Sequence, residues 1–206
     1  MTEDEARGWV RERFGVSRET QLNSYANMLV AEAQAQNLIA ASTVDTLWSR
    51  HLVDSAQLVP LVADAPNGAW LDVGSGAGLP GIVAAILSDR HLVLCEPRAR
   101  RVSFLTAVAD TLGLGNVTIQ ASKIESYRPT EPVAIVSARA VAELSSLLQS
   151  TTHCTDSSTI WVLPKGRNAL SEVAAARRKW QGVFHVEPSI TQSDSGIVIA
   201  QGVRPK

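Results

Sequence analysis

The run Asp72-Val73-Gly74-Ser75-Gly76-Ala77-Gly78-Leu79-Pro80-Gly81 holds four glycines and follows a short apolar stretch. Glycine lets a backbone turn tightly and approach a ligand with no Cβ in the way. A helix starting just beyond such a turn aims free N–H groups and its positive dipole end at any anionic group there. A plain strand-to-helix turn has no use for four glycines at this density, so a ligand loop is expected. Two ligands are compatible with the spacing. Gly76, Gly78 and Gly81 obey the dinucleotide pattern Gly-x-Gly-x-x-Gly. Asp72, Gly74, Gly76 and Gly78 form the acidic-x-Gly-x-Gly-x-Gly run of a methyl-donor loop, in which the cofactor is S-adenosyl-L-methionine. Glu96, at the end of the next apolar run, is placed to accept both ribose hydroxyls of either cofactor.

Other polar residues could serve the same site. Arg139 closes a later apolar run, at the end of a strand where open α/β sheets bind ligands. Arg50, His51 and Asp54 fall on one helical turn and read as a clasp for the preceding helices. Arg98, Arg100, Arg101, Lys165 and Arg167 are candidates for phosphate contact. Arg177, Arg178 and Lys179 read as a solvated helix end. Cys95 and Cys154 stand apart, with no Cys-x-x-Cys and no neighbouring ligand pair, so no disulfide or metal site is expected. No Tyr-x-x-x-Lys suggests hydride transfer, no Asn-Pro-Pro-Tyr-like segment suggests an exocyclic amine acceptor, and no Pro-Cys suggests attack on a pyrimidine.

These residues need a scaffold, and the hydrophobic rhythm supplies one. Three helical patterns come first, the second over 19–36 and the third from about Ser42, where Ser42 and Asp45 suggest a capping box. Beyond Pro66-Asn67-Gly68 the pattern becomes strand, turn, helix, strand. Strands are expected at 69–73, 91–95, 116–120, 133–137, 160–163, 184–186 and 197–200. Helices are expected at 79–88 (with Pro80 in the first turn), 98–112, 141–152 and 168–180. This alternation predicts a mostly parallel sheet covered on both faces. The last two strands lack a crossover and should pair antiparallel. Residues 1–66 then form an N-terminal helical cap and 67–206 the donor-binding domain.

The 206 residues suffice for one such domain with a small appendage, and 45% apolar with 19% charged residues is ordinary for a globular chain. A net charge of −1 and ten aromatic residues speak against a module that holds nucleic acid by charge or stacking alone. Residues 1–68 carry five basic and nine acidic side chains, whereas 121–206 carry ten basic and seven acidic, which allows a modest basic face on the C-terminal half. No apolar run is long enough for a membrane span, and the acidic start lacks the character of a signal peptide. The expectation is a cytoplasmic protein, with no membrane partner.

The chain resembles the small-subunit (16S) ribosomal RNA methyltransferase G family, formerly called glucose-inhibited division protein B. The likeness rests on Asn37-Leu38 with Arg50-His51-Leu52-Val53-Asp54-Ser55, the glycine loop through Leu79-Pro80-Gly81, and Glu96 with Arg101-Val102-Ser103-Phe104-Leu105. It extends to Ser137-Ala138-Arg139-Ala140 and Leu163-Pro164-Lys165-Gly166. Two departures are Glu96-Pro97-Arg98, and Ala40-Ala41-Ser42 where a Thr is usual. The resemblance implies a class I methyltransferase (Rossmann-like) seven-stranded sheet and S-adenosyl-L-methionine as cofactor. It implies a guanine N7 of 16S ribosomal RNA as acceptor, in the RNA or the small ribosomal subunit or its precursor, and a monomeric enzyme. Gly74 and Leu79 would border the methionine part, with Gly76 and Gly78 also in the cofactor-binding loop. Glu96 would hold the ribose, and Ile124 and Glu125 would frame the adenine. Arg139 would sit beside the cofactor carboxylate or the incoming nucleotide as a positioning residue. N7 carries a lone pair and no proton, so no general base is expected. The alternatives are an NAD-dependent oxidoreductase using the same loop, or a methyltransferase of another RNA or a small molecule.

Overall fold

The computed structural model describes residues 1–33 and 35–206. Seven strands form one sheet in the order β3-β2-β1-β4-β5-β7-β6. They are β1 (Trp70–Val73), β2 (Leu92–Cys95), β3 (Val117–Gln120), β4 (Ile135–Ser137), β5 (Ile160–Gly166), β6 (Trp180–Pro188) and β7 (Gly196–Pro205). β1 through β5 pair parallel, while β7 runs antiparallel to both β5 and β6. Every residue of β1, β2 and β4 is buried, as strands covered on both faces require.

Successive side chains in a strand point to opposite faces, so the sheet divides two cores. Trp70, Leu92, Leu94 and Ile135 face one of them. That core is completed by α1 (Glu3–Phe14), α2 (Val16–Ala33), α3 (Val53–Ala56), α4 (Leu58–Leu61), α5 (Gly81–Leu87) and α6 (Ala99–Leu112). Leu71, Val73, Val93 and Val136 face the other, with α7 (Leu144–Thr151) and α8 (Ala169–Ala176). The chain leaves β1 for β2 and β3 on one side, then returns to β4 on the other. Sheets of this kind bind ligands at that switch point, beyond the carboxyl ends of the strands.

The expected third helix is broken. Residues Ala41–Thr46 are a 3-10 turn and Trp48–Leu52 a π turn, leading into the short α3 and α4. The Ser42 capping box does not form: Ala40 precedes the turn with no side-chain cap, and the Thr43 hydroxyl donates to the Ala40 carbonyl at 2.7 Å. Such local side-chain bonds compete with regular helix. Glu3 of α1 caps this segment instead, its carboxylate accepting the N–H groups of Trp48 and Ser49 at 2.8 and 2.9 Å. Pro80 stands at the N-cap of α5, one residue before its expected place. The hairpin strands run longer than their apolar centres, because pairing continues outward through polar positions such as Gln181 and Arg204.

Among the described residues no helix is long and apolar enough to cross a membrane.

Candidate active site

A cavity of about 610 Å³ opens beyond the carboxyl ends of β1, β2 and β4. Its size suits a small-molecule cofactor. The four loop glycines divide their work. Gly74 (φ +66°) and Gly76 (φ +57°) line the cavity in left-handed conformations that side chains rarely adopt. Gly78 and Gly81 pack inward: a Cβ on Gly78 would lie 2.5 Å from Ile82 Cγ1, and one on Gly81 would meet Leu94 and stand 2.7 Å from Asp72 Oδ2. The Gly-x-Gly-x-x-Gly spacing thus arises partly from helix packing, and Gly78 is not a lining residue. Leu79 is.

Glu96 and Asp72 hold the loop in different ways. Glu96 is buried against it, with Oε2 accepting the Gly76 N–H and Oε1 accepting the Arg98 N–H, each at 2.9 Å. Each oxygen keeps a lone pair, and Glu96 lines the cavity with Arg101 Nη1 at 3.8 Å. Asp72 lies beneath the loop. Its Oδ1 accepts the Ser137 hydroxyl at 2.7 Å and its Oδ2 accepts the Gly81 N–H at 3.2 Å, at the start of α5. Burial raises its pKa to about 6, against the opposing effect of hydrogen bonds led by Ser137.

Arg139, beyond β4, is held from the N-terminal segment. Its Nη1 lies 3.1 Å from His51 Nδ1 and 3.6 Å from Asp54 Oδ2. Because the arginine can only donate, His51 Nδ1 is the acceptor and its Nε2–H donates to Thr43 Oγ1 at 2.8 Å. Burial, then the Arg139 and Arg50 charges, push the His51 pKa down to about 4. Asp54 Oδ1 also accepts from Thr191 at 2.8 Å and Gln57 at 3.0 Å, which ties this clasp to the β6–β7 loop. Arg50 is exposed and acts on His51 only through its charge, making no side-chain hydrogen bond or ion pair with the described residues.

The cavity brings together Gly74, Gly76, Leu79, Glu96, Arg98, Arg101 and Arg139. It does not bring in Ile124 or Glu125. Ile124 is buried in the α7–α8 core, and Glu125 faces a separate groove with Arg128 and His153. The cavity wall is closed instead by Pro97 and by Leu38, Ile39 and Ala40. Arg100 leans away, donating to the Ala35 carbonyl at 3.3 Å. Lys165 is not a surface cation: 8% of its side chain is exposed and it lies 3.1 Å from Glu172 Oε2. Arg167 is 83% exposed but pairs with Asp194. Val141 and Tyr25 escaped the sequence reading. Val141 lines the cavity, and the Tyr25 hydroxyl donates to the Ala77 carbonyl at 2.7 Å, fastening α2 to the glycine loop. Tyr25 looked like any apolar helix position, since nothing local distinguishes a buried tyrosine with a distant partner.

The profile of a protein family described as rRNA small subunit methyltransferase G matches residues 18–196. The chain belongs to the rRNA small subunit methyltransferase G family. Two proteins named ribosomal RNA small subunit methyltransferase G are similar over nearly its whole length. The one from Sphingopyxis alaskensis is 46% identical, covering 98% of this chain and 87% of its own. That from Rhizorhabdus wittichii is 42% identical, covering 100% and 95%. In fold, this member of the methyltransferase G family is similar to an O-methyltransferase from Bacillus cereus, solved in complex with SAH. The TM-score is 0.58 at 12% identity, over 86% of this chain and 90% of that one.

Proposed function

We propose that the chain transfers a methyl group from S-adenosyl-L-methionine to N7 of a guanine in 16S ribosomal RNA. The cavity residues suit that donor. Gly74 and Gly76 offer backbone without side chains, Glu96 offers carboxylate lone pairs to ribose hydroxyls, and Leu38, Ile39 and Pro97 offer an apolar wall. When bound, S-adenosyl-L-methionine supplies an electrophilic methyl group on a sulfonium sulfur.

The observation that carries the N7 assignment is the engagement of the site's bases. His51 uses one nitrogen to accept from Arg139 and the other to donate to Thr43, and both Glu96 oxygens are held by backbone N–H groups. Among the described residues of this cavity His51 has no free nitrogen and Glu96 is committed to the loop and the ribose, so an acceptor that had to lose a proton would find no prepared base beside the donor. Guanine N7 needs none. Its in-plane lone pair would form the new bond to the methyl carbon, the electrons of the broken bond would leave with the donor's sulfur, and positive charge would pass to the purine ring. The chain's contribution is then to position the base through Arg139, whose orientation His51 and Asp54 fix, and to exclude water.

In this reading residues 1–66 act as a helical cap over the donor domain, 67–206. Arg98 and Arg101 contact phosphate at the cavity mouth. The enzyme works as a cytoplasmic monomer on the small ribosomal subunit or its precursor. The test is to compare 16S ribosomal RNA from cells with and without the gene, using borohydride reduction and aniline cleavage, which cut at N7-methylguanine. A cleavage present only with the gene is the expected result. Identical patterns in both would remove the N7 assignment.

A further inference from the structure

Two cavities meet at Arg139. The second, of about 330 Å³, lies beyond the carboxyl ends of β4 and β5 and shares Arg139 and Ala140 with the first. The donor reading makes no use of it. Pro164 and Ile197 give it apolar walls, and Glu172 and Gln192 are among its polar groups.

Those polar groups are only partly satisfied. Glu172 Oε2 accepts the Leu144 N–H at 2.7 Å and lies 3.1 Å from Lys165 Nζ, whereas Oε1 accepts from none of the described residues. Gln192 Oε1 accepts the Ser195 hydroxyl at 3.4 Å, and its Nε2 donates to none of the described residues. Arg139 spends Nη1 on His51 and Asp54, which leaves Nε and Nη2 without a bond to the described residues. A fixed arginine therefore stands at the junction of the two cavities, and a carboxylate with one unspent oxygen lines the second as well as the groove between α7 and α8.

We infer that the second cavity receives the acceptor guanine itself, unstacked from its RNA, with N7 at the junction. This rests on the proposed function and adds to it the groups that would select the base. On guanine, O6 adjoins N7, and the N1–H and 2-amino donors lie beyond. Arg139 at the junction matches O6, and Glu172 Oε1 matches the N1–H and 2-amino group. Adenine would set its 6-amino donor against the arginine and its N1 lone pair against the carboxylate. Both contacts join like with like, and both leave a polar group unpaired. Extrusion of one nucleotide into a separate pocket is how proteins reach a base that stacking would otherwise hide.

The test uses the full chain saturated with S-adenosylhomocysteine, titrated with guanosine monophosphate and adenosine monophosphate and followed by backbone NMR and calorimetry. Guanosine monophosphate should shift the amides of Gly166, Ser195 and Gly196 and bind at least about tenfold more tightly than the adenosine compound. Glu172→Gln should weaken guanosine monophosphate about tenfold and leave S-adenosylhomocysteine affinity unchanged. If that variant fails to fold because Lys165 loses its partner, Gln192→Ala on the exposed-side loop reports instead, with a loss of about threefold. Equal affinity for the two nucleotides would overturn the pocket and leave the proposed function standing. So would shifts confined to residues 74–79, or guanosine affinity untouched in the folded variants. Failure of S-adenosylhomocysteine itself to bind would overturn both.

Discussion

At the scale of single residues, the site depends on backbone that only glycine adopts freely and on groups whose charge is set by burial. Gly76 has φ +57° and its N–H donates to Glu96. A valine there is strained by its β-branch in the left-handed region and projects a side chain at the cavity, where Arg101 Nη1 would lie 3.5 Å from the new Cβ. Gly76→Val is therefore expected to remain folded by circular dichroism and to show no S-adenosylhomocysteine binding by calorimetry. His51 and Asp72 act on stability in opposite senses. The depressed His51 pKa gives stability that is fully present above 6.5 and lost as pH falls through about 4. The raised Asp72 pKa gives stability that is present below 3.8 and lost as pH rises through about 6. The two slopes overlap and offset each other, so the His51 effect emerges only by difference. Urea unfolding of the parent and of His51→Gln, run from pH 7 to pH 4, should show the parent losing ground to the variant on acidification. A constant difference would mean that His51 is not held neutral.

At the scale of elements, the N-terminal helices do more than cover apolar surface. α1 starts with a Thr2–Glu5 capping box, and its Glu3 caps the turn that carries His51. Glu19 is buried between Arg7 and Arg11 and locks α1 to α2. Tyr25 of α2 then reaches the glycine loop. Tyr25→Phe leaves the Ala77 carbonyl without its partner inside the protein, which should cost about 1–3 kcal/mol in chemical denaturation. The same change frees the loop, so hydrogen exchange at residues 76–79 should quicken more than in β1. Uniform exchange changes would reduce Tyr25 to ordinary core packing.

At the scale of the whole molecule, the arrangement separates positioning from proton transfer. The His51 pKa near 4 keeps the ring neutral through the ordinary working range, and its two nitrogens are engaged. The single-turnover methyl-transfer rate on bound RNA should therefore be nearly flat from pH 6 to 9. Arg139→Ala should lower that rate by roughly 10²–10³-fold, as loss of a fixed charged donor at a reacting centre does, without tilting the profile. A rate that climbs tenfold per pH unit would point to an acceptor that must be deprotonated.

The sequence by itself determined the strand–loop–helix order, the parallel sheet with its closing hairpin, and the acidic and glycine residues of the loop that follows β1. These follow from local causes: apolar periodicity, turn geometry and the need for backbone without Cβ. It also supplied the family motifs that carry Arg139 and Glu96. Only the tertiary structure decided which of those residues share a surface. Gly78 answers to Ile82 on the next turn and to Leu105, and Gly81 to Asp72 and Leu94; of these, Leu94 and Leu105 come beside the loop only by folding. Ile124 turned into the α7–α8 core, while Leu38, Ile39 and Ala40 came from the N-terminal segment to close the cavity. The broken third helix has the same origin, since its cap comes from Glu3, more than forty residues earlier. Lys165 was buried by its pairing with Glu172, and the Arg139 clasp joins residues 88 positions apart. Burial and partner choice across such distances are set by packing the two faces of one sheet, and no window along the chain contains them.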